Sequence, residues 1–541
     1  MAKRYRPVDR DQPYLFPPDM RESLPPGHPV WLVIRVVEEH LDTSAFHAVR
    51  RTGGAGAAGY DPDMLLAVLV WAYASGVTSS RRMEQLCGTD VAFRLICAQN
   101  LPDHVTIARF RAAFAAAVPV FFAEVLRLCA RLGMGRLGVV ALDGMKIAAS
   151  ASKAANRAEG KLVRLARDIV AAHASTDAAE DELFGEGRRG DEVPPEAWRP
   201  GSRDERIAAA LASLQAEREA AEQAQKARAE EFRARQRAGQ RTGCSPDRAA
   251  VALAEENLAR VTAARQARID DWEARNARSL AQAGKGLRNP PRRPASQHVR
   301  ARQAAARLER ARRRQAEAAR RAADRERNRK GPGPVRNITD PGSRLMPVRG
   351  GGFVQGYNAQ NVTSEDGLII ATELTNDPAD CTWFEPMMRA AERAATPIGA
   401  SRPAGRHDDQ IGLMLADAGY CSEANLTTSG PDRLIAVGKL RDLEKAARDG
   451  PPAGRQRARP ATLAMAGRLK TEDGITAYRH RGHIAETPHG NIKHNLRFRQ
   501  LSLRGTAKAS AEWAFTAAIH NLLKAITSGH LTASALTTLP A

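Results

Sequence analysis

The sequence predicts a mixed α/β domain that follows an all-α N-terminal region and is interrupted by a long helical insertion. Apolar residues recur at helical spacing from Val30 to about Leu132. Residues from about 152 to 333 are rich in Ala, Arg, Glu and Gln and show almost no strand pattern. On both sides of that stretch, short apolar and β-branched runs indicate strands that alternate with helices.

This pattern divides the chain into five parts. They are a Pro-rich arm at 1–27, a helical N-terminal domain at 28–135, an α/β domain at 136–151 and 335–528, a charged helical insertion at 152–334, and a tail at 529–541.

The N-terminal domain contains a candidate DNA-docking helix. Asp103 is a plausible N-cap, and the apolar residues that follow it fall on one face. Arg109 and Arg111 are expected to leave that face. A basic helix in a small bundle often docks on DNA, but arginine on the wet side of a helix is equally ordinary.

The insertion predicts a long antiparallel helical hairpin with a thin, Ala-rich contact surface and a break at Gly239–Pro246. Between Lys285 and Lys330 there are 17 cations and four anions. A solvated linker and an arm that faces nucleic acid both fit this composition.

The α/β domain has a readable order of elements. Predicted strands are Gly138–Ile147, the hairpin Gly352–Val362 with Gly367–Leu374, Gly412–Ala416 and Leu434–Val437. Predicted helices are Trp383–Ala395, a short one from Ser422, 484–498 and 508–526, with 445–465 irregular.

Net charge and cysteine content indicate which class of partner the protein binds and which cellular compartment it occupies. The chain has 82 Lys and Arg against 61 Asp and Glu, a formal charge of +21 and a pI near 10.3. Such a surplus favours a polyanion, although a basic proteome would give the same balance. Six cysteines without a close pair favour neither a disulfide framework nor a thiolate zinc site. No signal peptide or membrane span is expected, so we expect a cytoplasmic protein.

Three acidic residues lie in sequence contexts that suit the binding of a metal ion. Asp143 and Asp417 each follow a short apolar run, and Glu486 opens a helical stretch that ends in cations. Strand ends and a helix can bring such carboxylates together. Carboxylate oxygens suit Mg²⁺, and two such ions can stabilise both oxygens of a phosphoryl displacement.

Several segments carry a resemblance to a known family. They are Tyr60 to Phe110, Asp143-Gly144 with Lys146, Asn337-Ile-Thr-Asp-Pro-Gly-Ser-Arg344, Gly356-Tyr-Asn-Ala-Gln360, Ala416-Asp-Ala-Gly-Tyr420, and the array of Tyr478, Arg481, Glu486 and Lys493. In this order they resemble the DDE-type transposases of bacterial insertion sequences, in the group with a Tyr-Arg-Glu-Lys signature.

The resemblance implies a ribonuclease-H-like catalytic domain in which Asp143, Asp417 and Glu486 bind metal. It also implies phosphate contacts from Tyr478, Arg481 and Lys493. Two Mg²⁺ ions are expected, with Mn²⁺ as a substitute. The implied partners are double-stranded DNA, as element ends and target, and further copies of the chain in a homodimer or larger assembly at the nucleoid.

Two other functions remain open at this stage. A metal-dependent nuclease could use the same three carboxylates without strand transfer, and a catalytically silent DNA-binding protein could descend from such an enzyme. A zinc site at His480, His483, His489 and His494 is disfavoured by the cations around it. Asp340, Asp377 and Asp380 are interpreted as loop acids because their settings lack a preceding apolar strand.

Overall fold

The computed structural model describes nearly all of the predicted elements. The described residues are 19–48, 59–168, 203–238, 247–291, 294–327, 334–348, 350–403, 410–438 and 460–539. The chain forms two compact units, Met1–Asn156 with Asn337–Ala541, and Arg157–Arg336. The proposed break at Gly239–Pro246, most of the Pro-rich arm and the start of the 445–465 segment lie outside the described residues.

Helices make up most of the larger unit. Before the sheet they are α1 (Pro29–Arg35), α2 (Ser44–His47), α3 (Pro62–Ala74), α4 (Ser80–Thr89), α5 (Val91–Cys97), α6 (His104–Ala113) and α7 (Val118–Arg131). Ser79 caps α4 by accepting from Arg82 N, and Asp103 caps α6 by accepting from the amides of Val105 and Thr106. The cap predicted at Asp103 is confirmed.

The smaller unit is also helical. Its long helices are α8 (Arg203–Arg237), α9 (Asp247–Ala283) and α10 (Val299–Arg327). Arg233 near the end of α8 pairs with Glu256 near the start of α9, as an antiparallel hairpin requires. The helix α10 is packed along one face rather than being a solvated linker, because its Ala301, Ala304 and Leu308 are buried at helical spacing.

The other described helices of the larger unit come after residue 383. They are α11 (Phe384–Ser401), α12 (Glu423–Thr427), α13 (Pro460–Arg468), α14 (Glu472–His494), α15 (Thr506–Thr527) and α16 (Ala533–Thr538). Helix α14 begins 12 residues before the predicted start at 484, so Tyr478, Arg481 and Glu486 share one helix. Helix α13 occupies part of the stretch that was predicted to be irregular.

The strands form one mixed sheet and one small ribbon. They are β1 (Val139–Ala148), β2 (Asn156–Ala158), β3 (Val335–Asn337), β4 (Arg344–Pro347), β5 (Phe353–Ser364), β6 (Ile369–Thr375), β7 (Leu413–Ala416) and β8 (Asp432–Ile435). The sheet order is β4-β5-β1-β7-β8, with β6 also paired to β5, and β2 pairs with β3. Strand β5 is antiparallel to its neighbours, whereas β1, β7 and β8 are parallel. The short strands β2, β3 and β4 were missed.

The two faces of the sheet are covered by different helices. Alternate residues of a strand point to opposite faces, and Val140 and Leu142 of β1 join the large core that includes α7, α11 and α15. Ala141 instead packs with Ile484 and Ala485 of α14. Asp143, two residues beyond Ala141, therefore lies on the side that α14 covers.

The N-terminal helices share the large core with the sheet. Tyr73 of α3 and Phe121 of α7 each contact the ring of Phe515 on α15 at centroid distances of 5.3 and 5.2 Å. Residues 28–135, expected as a domain of their own, therefore lie in one compact unit with the α/β elements.

Arg111 does not leave the apolar face of α6 as expected. Only 7% of it is exposed, and its guanidinium donates to the carbonyl of Thr78 at 2.5 Å. A further contact of 3.4 Å reaches the hydroxyl of Tyr73. The helix packs against the turn after α3, which buries this position, whereas Arg109 is exposed.

No single helix among the described residues has the length and apolarity to cross a membrane, although the bent pair α6 and α7 passes that test together by composition.

The buried carboxylate of Glu512 joins the N-terminal helices to the C-terminal part of the chain. It accepts from the hydroxyl of Tyr73 at 2.7 Å and from the amides of Ser502 and Leu503, each at 2.8 Å. The residue is 1% exposed. A buried charge is tolerated when donors surround it, as they do here.

We predict that Glu512→Ala lowers the free energy of unfolding by about 3 kcal/mol, because it leaves buried donors without an acceptor. The measurement is chemical denaturation followed by circular dichroism. Glu22→Ala, at an exposed acid of the same unit, is the matched control. Equal stability of the two variants would contradict the role of Glu512 as the link between these segments.

Candidate active site

The sequence-predicted carboxylates meet in one polar cleft of the larger unit. The cleft has a volume of about 530 Å³. Its lining residues are Asp143, Gly144, Met145, Lys146, Pro347, Val348, Asp380, Asp417, Arg481, Glu486, His489 and Lys493. Strands far apart in sequence and one helix thus contribute to a single concave surface.

Strand register brings Asp143 and Asp417 side by side. The last parallel pair between β1 and β7 is Leu142 with Ala416; Asp143 is the next residue of β1, which continues to Ala148, and Asp417 directly follows the end of β7. The parallel pairing thus stops at the level of the two aspartates, at the carboxyl end of β7, and such strand ends are where ligands bind in open α/β sheets. Gly419 N donates to Asp417 Oδ1 at 2.9 Å and holds that carboxylate at the turn.

Helix α14 supplies the opposite wall of the cleft. Arg481 lies between two of the acids, with its Nη1 3.8 Å from Asp143 Oδ1 and its Nη2 3.9 Å from Glu486 Oε1. Lys493 lies seven residues beyond Glu486, and both line the cleft because two helical turns return to nearly the same face. Cations and carboxylates therefore alternate along this wall.

His489 supports Asp143 through a hydrogen-bonded chain that starts in the core. Trp513 donates its indole N–H to Thr372 Oγ1 at 2.8 Å and also approaches Asn361 Oδ1 at 3.3 Å. The hydroxyl of Thr372 donates to the same oxygen at 2.6 Å. With two donors on Oδ1, the amide nitrogen of Asn361 must face His489 Nε2, which lies 2.9 Å away.

This orientation fixes the tautomer of the imidazole ring. Since Asn361 Nδ2 can only donate, His489 Nε2 accepts and Nδ1 carries the proton. Nδ1 faces Asp143 Oδ2 at 3.5 Å. A buried tryptophan therefore orients, through two side chains, the ring that lies against Asp143.

The two aspartates have opposite electrostatic surroundings. Burial acts to raise the pKa of Asp143, but the hydrogen bond from His489 and the charge of Arg481 outweigh it, so that the pKa is lowered. Burial, followed by the charge of Asp143, raises the pKa of Asp417. Burial lowers the pKa of Lys493, and the charge of Asp143 opposes that shift.

Other predicted contact residues lie away from the cleft surface. The hydroxyl of Tyr478 donates to the carbonyl of Ala416 at 3.2 Å, directly before Asp417, and burial raises its pKa. Tyr478 thus anchors α14 to the end of β7. The guanidinium of Arg111 is engaged inside the N-terminal helices, and Arg109 lies on their surface.

The structure brings Asp380 into the cleft, although it was interpreted as a loop acid. Its Oδ1 accepts from Lys146 Nζ at 3.2 Å, from Asn358 Nδ2 at 2.7 Å and from Gln360 Nε2 at 2.8 Å. The signal was present, because β6 ends at Thr375, five residues earlier. Asp340 is instead buried away from the cleft, where it accepts from the hydroxyl of Tyr357 at 2.9 Å.

The carboxylates of the cleft have the right chemistry to bind a divalent cation, but in this conformation they are not spaced to coordinate one together. Three carboxylates are the hard oxygen ligands such an ion prefers, and Arg481 now lies between two of them. Among the described residues, the group whose ligand atoms all lie within 4.8 Å is His47, Asp61 and Asp63, on the surface of the N-terminal helices. Asp61 there caps α3. Glu486 has the freedom to move, since 63% of its side chain is exposed.

Comparison with protein families decides the identity. One family model, described as a transposase domain, matches residues 18–113, and another, described as a transposase DDE domain, matches residues 454–526. The chain is a DDE-type transposase. It is therefore a DNA-binding enzyme of a family that cleaves and rejoins DNA and generally uses a divalent metal ion. No curated protein and no solved structure shows detectable similarity to the chain.

The two matches cover different parts of the site. Residues 454–526 include all of α14, with Arg481, Glu486 and Lys493, whereas residues 18–113 cover most of the N-terminal helices. Asp143 and Asp417 lie outside both matches, and their place beside α14 comes from the sheet register. The cleft of the transposase thus combines a helix within a family match with two aspartates that only the sheet register brings beside it.

Proposed function

We propose that this transposase binds the ends of its element, hydrolyses a phosphodiester there and joins the freed 3′-hydroxyl to target DNA, with Asp143, Asp417 and Glu486 as its metal-binding carboxylates. The observation that carries the proposal is the register of β1 and β7, which places two aspartates together opposite the acid of α14. The strand order β6-β5-β1-β7-β8, with only β5 reversed among them, also supports a ribonuclease-H-like catalytic domain.

Each side chain of the cleft has a task in this proposal. The three carboxylates hold Mg²⁺, as two ions or with Mn²⁺ in its place; when bound, such ions acidify water and stabilise charge on the phosphate. Arg481 offers a planar fork to a phosphate, and Lys493 offers a point charge on the same wall. Asp143, with its lowered pKa, stays ionised and available as a ligand.

The DNA substrate also needs contacts outside the cleft. We propose that the N-terminal helices, with Arg109 on their surface, recognise the element ends. Because an element has two ends, we also propose that at least two protomers assemble on the DNA, in the cytoplasm where the chromosome lies.

The basic helix α10 gives the proposal a source of affinity that does not depend on sequence. It carries eleven arginines and four acids, whereas α9 carries six of each. Arg300, Arg302, Arg307, Arg310 and Arg314 are all exposed. An exposed surplus of arginine attracts phosphates and releases counterions.

The triad is tested by single isosteric substitutions. Asp143→Asn, Asp417→Asn and Glu486→Gln should each lower Mg²⁺-dependent cleavage of an end-containing duplex about 100-fold or more, since even the outer partners of a metal ion contribute 10- to 100-fold. DNA affinity, measured by fluorescence anisotropy, should change little because it depends on phosphate contacts elsewhere. Glu472→Gln, at an exposed acid in the first turn of α14, is the control. Cleavage at the control's rate by any of the three would remove that residue from the site.

Salt dependence tests the task of α10. Replacing Arg300, Arg302, Arg307, Arg310 and Arg314 by Gln should weaken binding to end and random DNA equally. The slope of log affinity against log salt should fall by about 0.9 for each phosphate that the variant no longer neutralises. Arg260→Gln with Arg268→Gln on α9 serves as the control. An unchanged slope would show that α10 does not contact DNA.

A further inference from the structure

We infer that Asp380 is a positioning residue for the transposase: it binds β1, which carries Asp143, and the neighbouring strand β5, it is linked through Gln360 to the turn after Asp417, and so it sets the separation of those two carboxylates. The inference rests on the proposed function, because it assigns Asp380 a task only if the two aspartates act together.

The first support is the convergence of three donors on one oxygen. Oδ1 of Asp380 accepts from Lys146 of β1 and from Asn358 and Gln360 of β5. Asn358 and Gln360 are 0% exposed, so their amides have lost water and depend on protein partners. A single carboxylate thus joins side chains from two strands.

The strand register shows which part of the site these donors hold. Lys146 lies opposite Asn358, and Gly144 lies opposite Gln360. The next pair along the strands is Asp143 with Asn361. Gln360 therefore belongs to the cross-strand pair next to Asp143, and Lys146 and Asn358 form the pair two positions further along the same strands. Fixing these donors fixes the stretch of β1 from which the Asp143 carboxylate projects.

Gly144 explains how Asp380 can reach this position. A Cβ atom at residue 144 would lie 2.7 Å from Gln360 Nε2 and 2.8 Å from Asp380 Oδ1, closer than real Cβ contacts. The glycine after Asp143 is thus required by the approach of Asp380. The Asp-Gly pair that was singled out in the sequence reflects this contact.

A second branch of hydrogen bonds reaches Asp417. The buried hydroxyl of Tyr420 donates to Gln360 Oε1, while Gln360 Nε2 donates to Asp380. Tyr420 closes the turn that begins at Asp417. A Cβ atom on Gly419, within this turn, would be 3.6 Å from Asp380 Oδ2, which places the turn against the same carboxylate.

Charge gives Asp380 a second effect on the cleft. It pairs with the ammonium of Lys146 at 3.2 Å, and only 17% of the lysine side chain is exposed. The same ammonium also donates to the carbonyl of Pro378 at 3.0 Å. Asp380 and the backbone of its own loop therefore hold this lysine together, and the carboxylate supplies the charge that balances it.

The contacts of Asp380 distinguish it from a further ligand of the ion. All three of its donors are on Oδ1, and one of them is a cation, which neutralises the carboxylate. Such a residue orients ligands from behind them, in the way that outer partners of metal sites do.

The test is Mn²⁺ binding by the full chain without DNA, read from the free Mn²⁺ signal in electron paramagnetic resonance, together with the Mg²⁺ dependence of cleavage. Asp380→Asn should weaken Mn²⁺ binding about 10-fold and raise the Mg²⁺ concentration for half-maximal cleavage by a similar factor. DNA affinity and Tm should stay near those of the wild type. The control is Asp377→Asn in the same loop, where the carboxylate accepts from Ala379 N and Thr382 Oγ1 rather than from Lys146.

The possible outcomes distinguish a failure of the positioning role of Asp380 from a failure of the proposed function. Wild-type Mn²⁺ affinity in Asp380→Asn, with weaker binding in Asp143→Asn, would overturn the positioning role alone. Equal losses of binding and Tm in Asp380→Asn and Asp377→Asn would overturn it as well, because they would reduce Asp380 to a loop-stabilising residue. If Asp143→Asn binds Mn²⁺ as the wild type does, the proposed function fails and the positioning role fails with it.

Discussion

The parallel pairing of β1 with β7 is the constraint on which the site depends. Only four residue pairs join these strands, from Val139 with Leu413 to Leu142 with Ala416. A slip of one residue would turn one of the following aspartates to the other face of the sheet, because side chains alternate along a strand. The buried residues that fix the register, such as Leu142 and Ala416, therefore determine how far apart Asp143 and Asp417 lie.

Two hydrogen-bonded networks of side chains hold Asp143 and Asp417 in place from opposite sides. From the core side, Trp513 and Asn361 orient His489 against Asp143. From the loop after β6, Asp380 gathers donors next to Asp143 and, through Gln360, reaches Tyr420. Networks of this kind are stable only when their buried members are satisfied. The donors that meet on Asn361 Oδ1 and Asp380 Oδ1 are satisfied, and they support the backbone from which Asp143 and Asp417 face the cleft.

Local sequence pattern singled out the three acids that meet in the cleft, but it did not show which residues support them. The hairpin of β5 and β6 and the strand end before Asp417 were predicted, since apolar runs and turn residues are local signals. Asp143 lies within β1, which continues to Ala148, rather than at the end of a strand. Arg111 was wrongly expected to be on the wet side of α6, because the turn after α3 that buries it is distant in sequence. Asp380 closely follows the predicted strand Gly367–Leu374, but its place in the cleft could not be read from that strand, because its partners Lys146 and Asn358 come from strands that only the folded sheet brings together.

Localised cleavage of the transposase by bound Fe²⁺ tests the central claim most directly. Fe²⁺ in place of Mg²⁺, with ascorbate and peroxide, generates radicals that cut the backbone close to the ion. The account predicts cuts near residues 143, 417 and 486 that excess Mg²⁺ suppresses and that Asp143→Asn loses. Cuts confined to the surface cluster of His47, Asp61 and Asp63, whose atoms already lie within 4.8 Å, would contradict it.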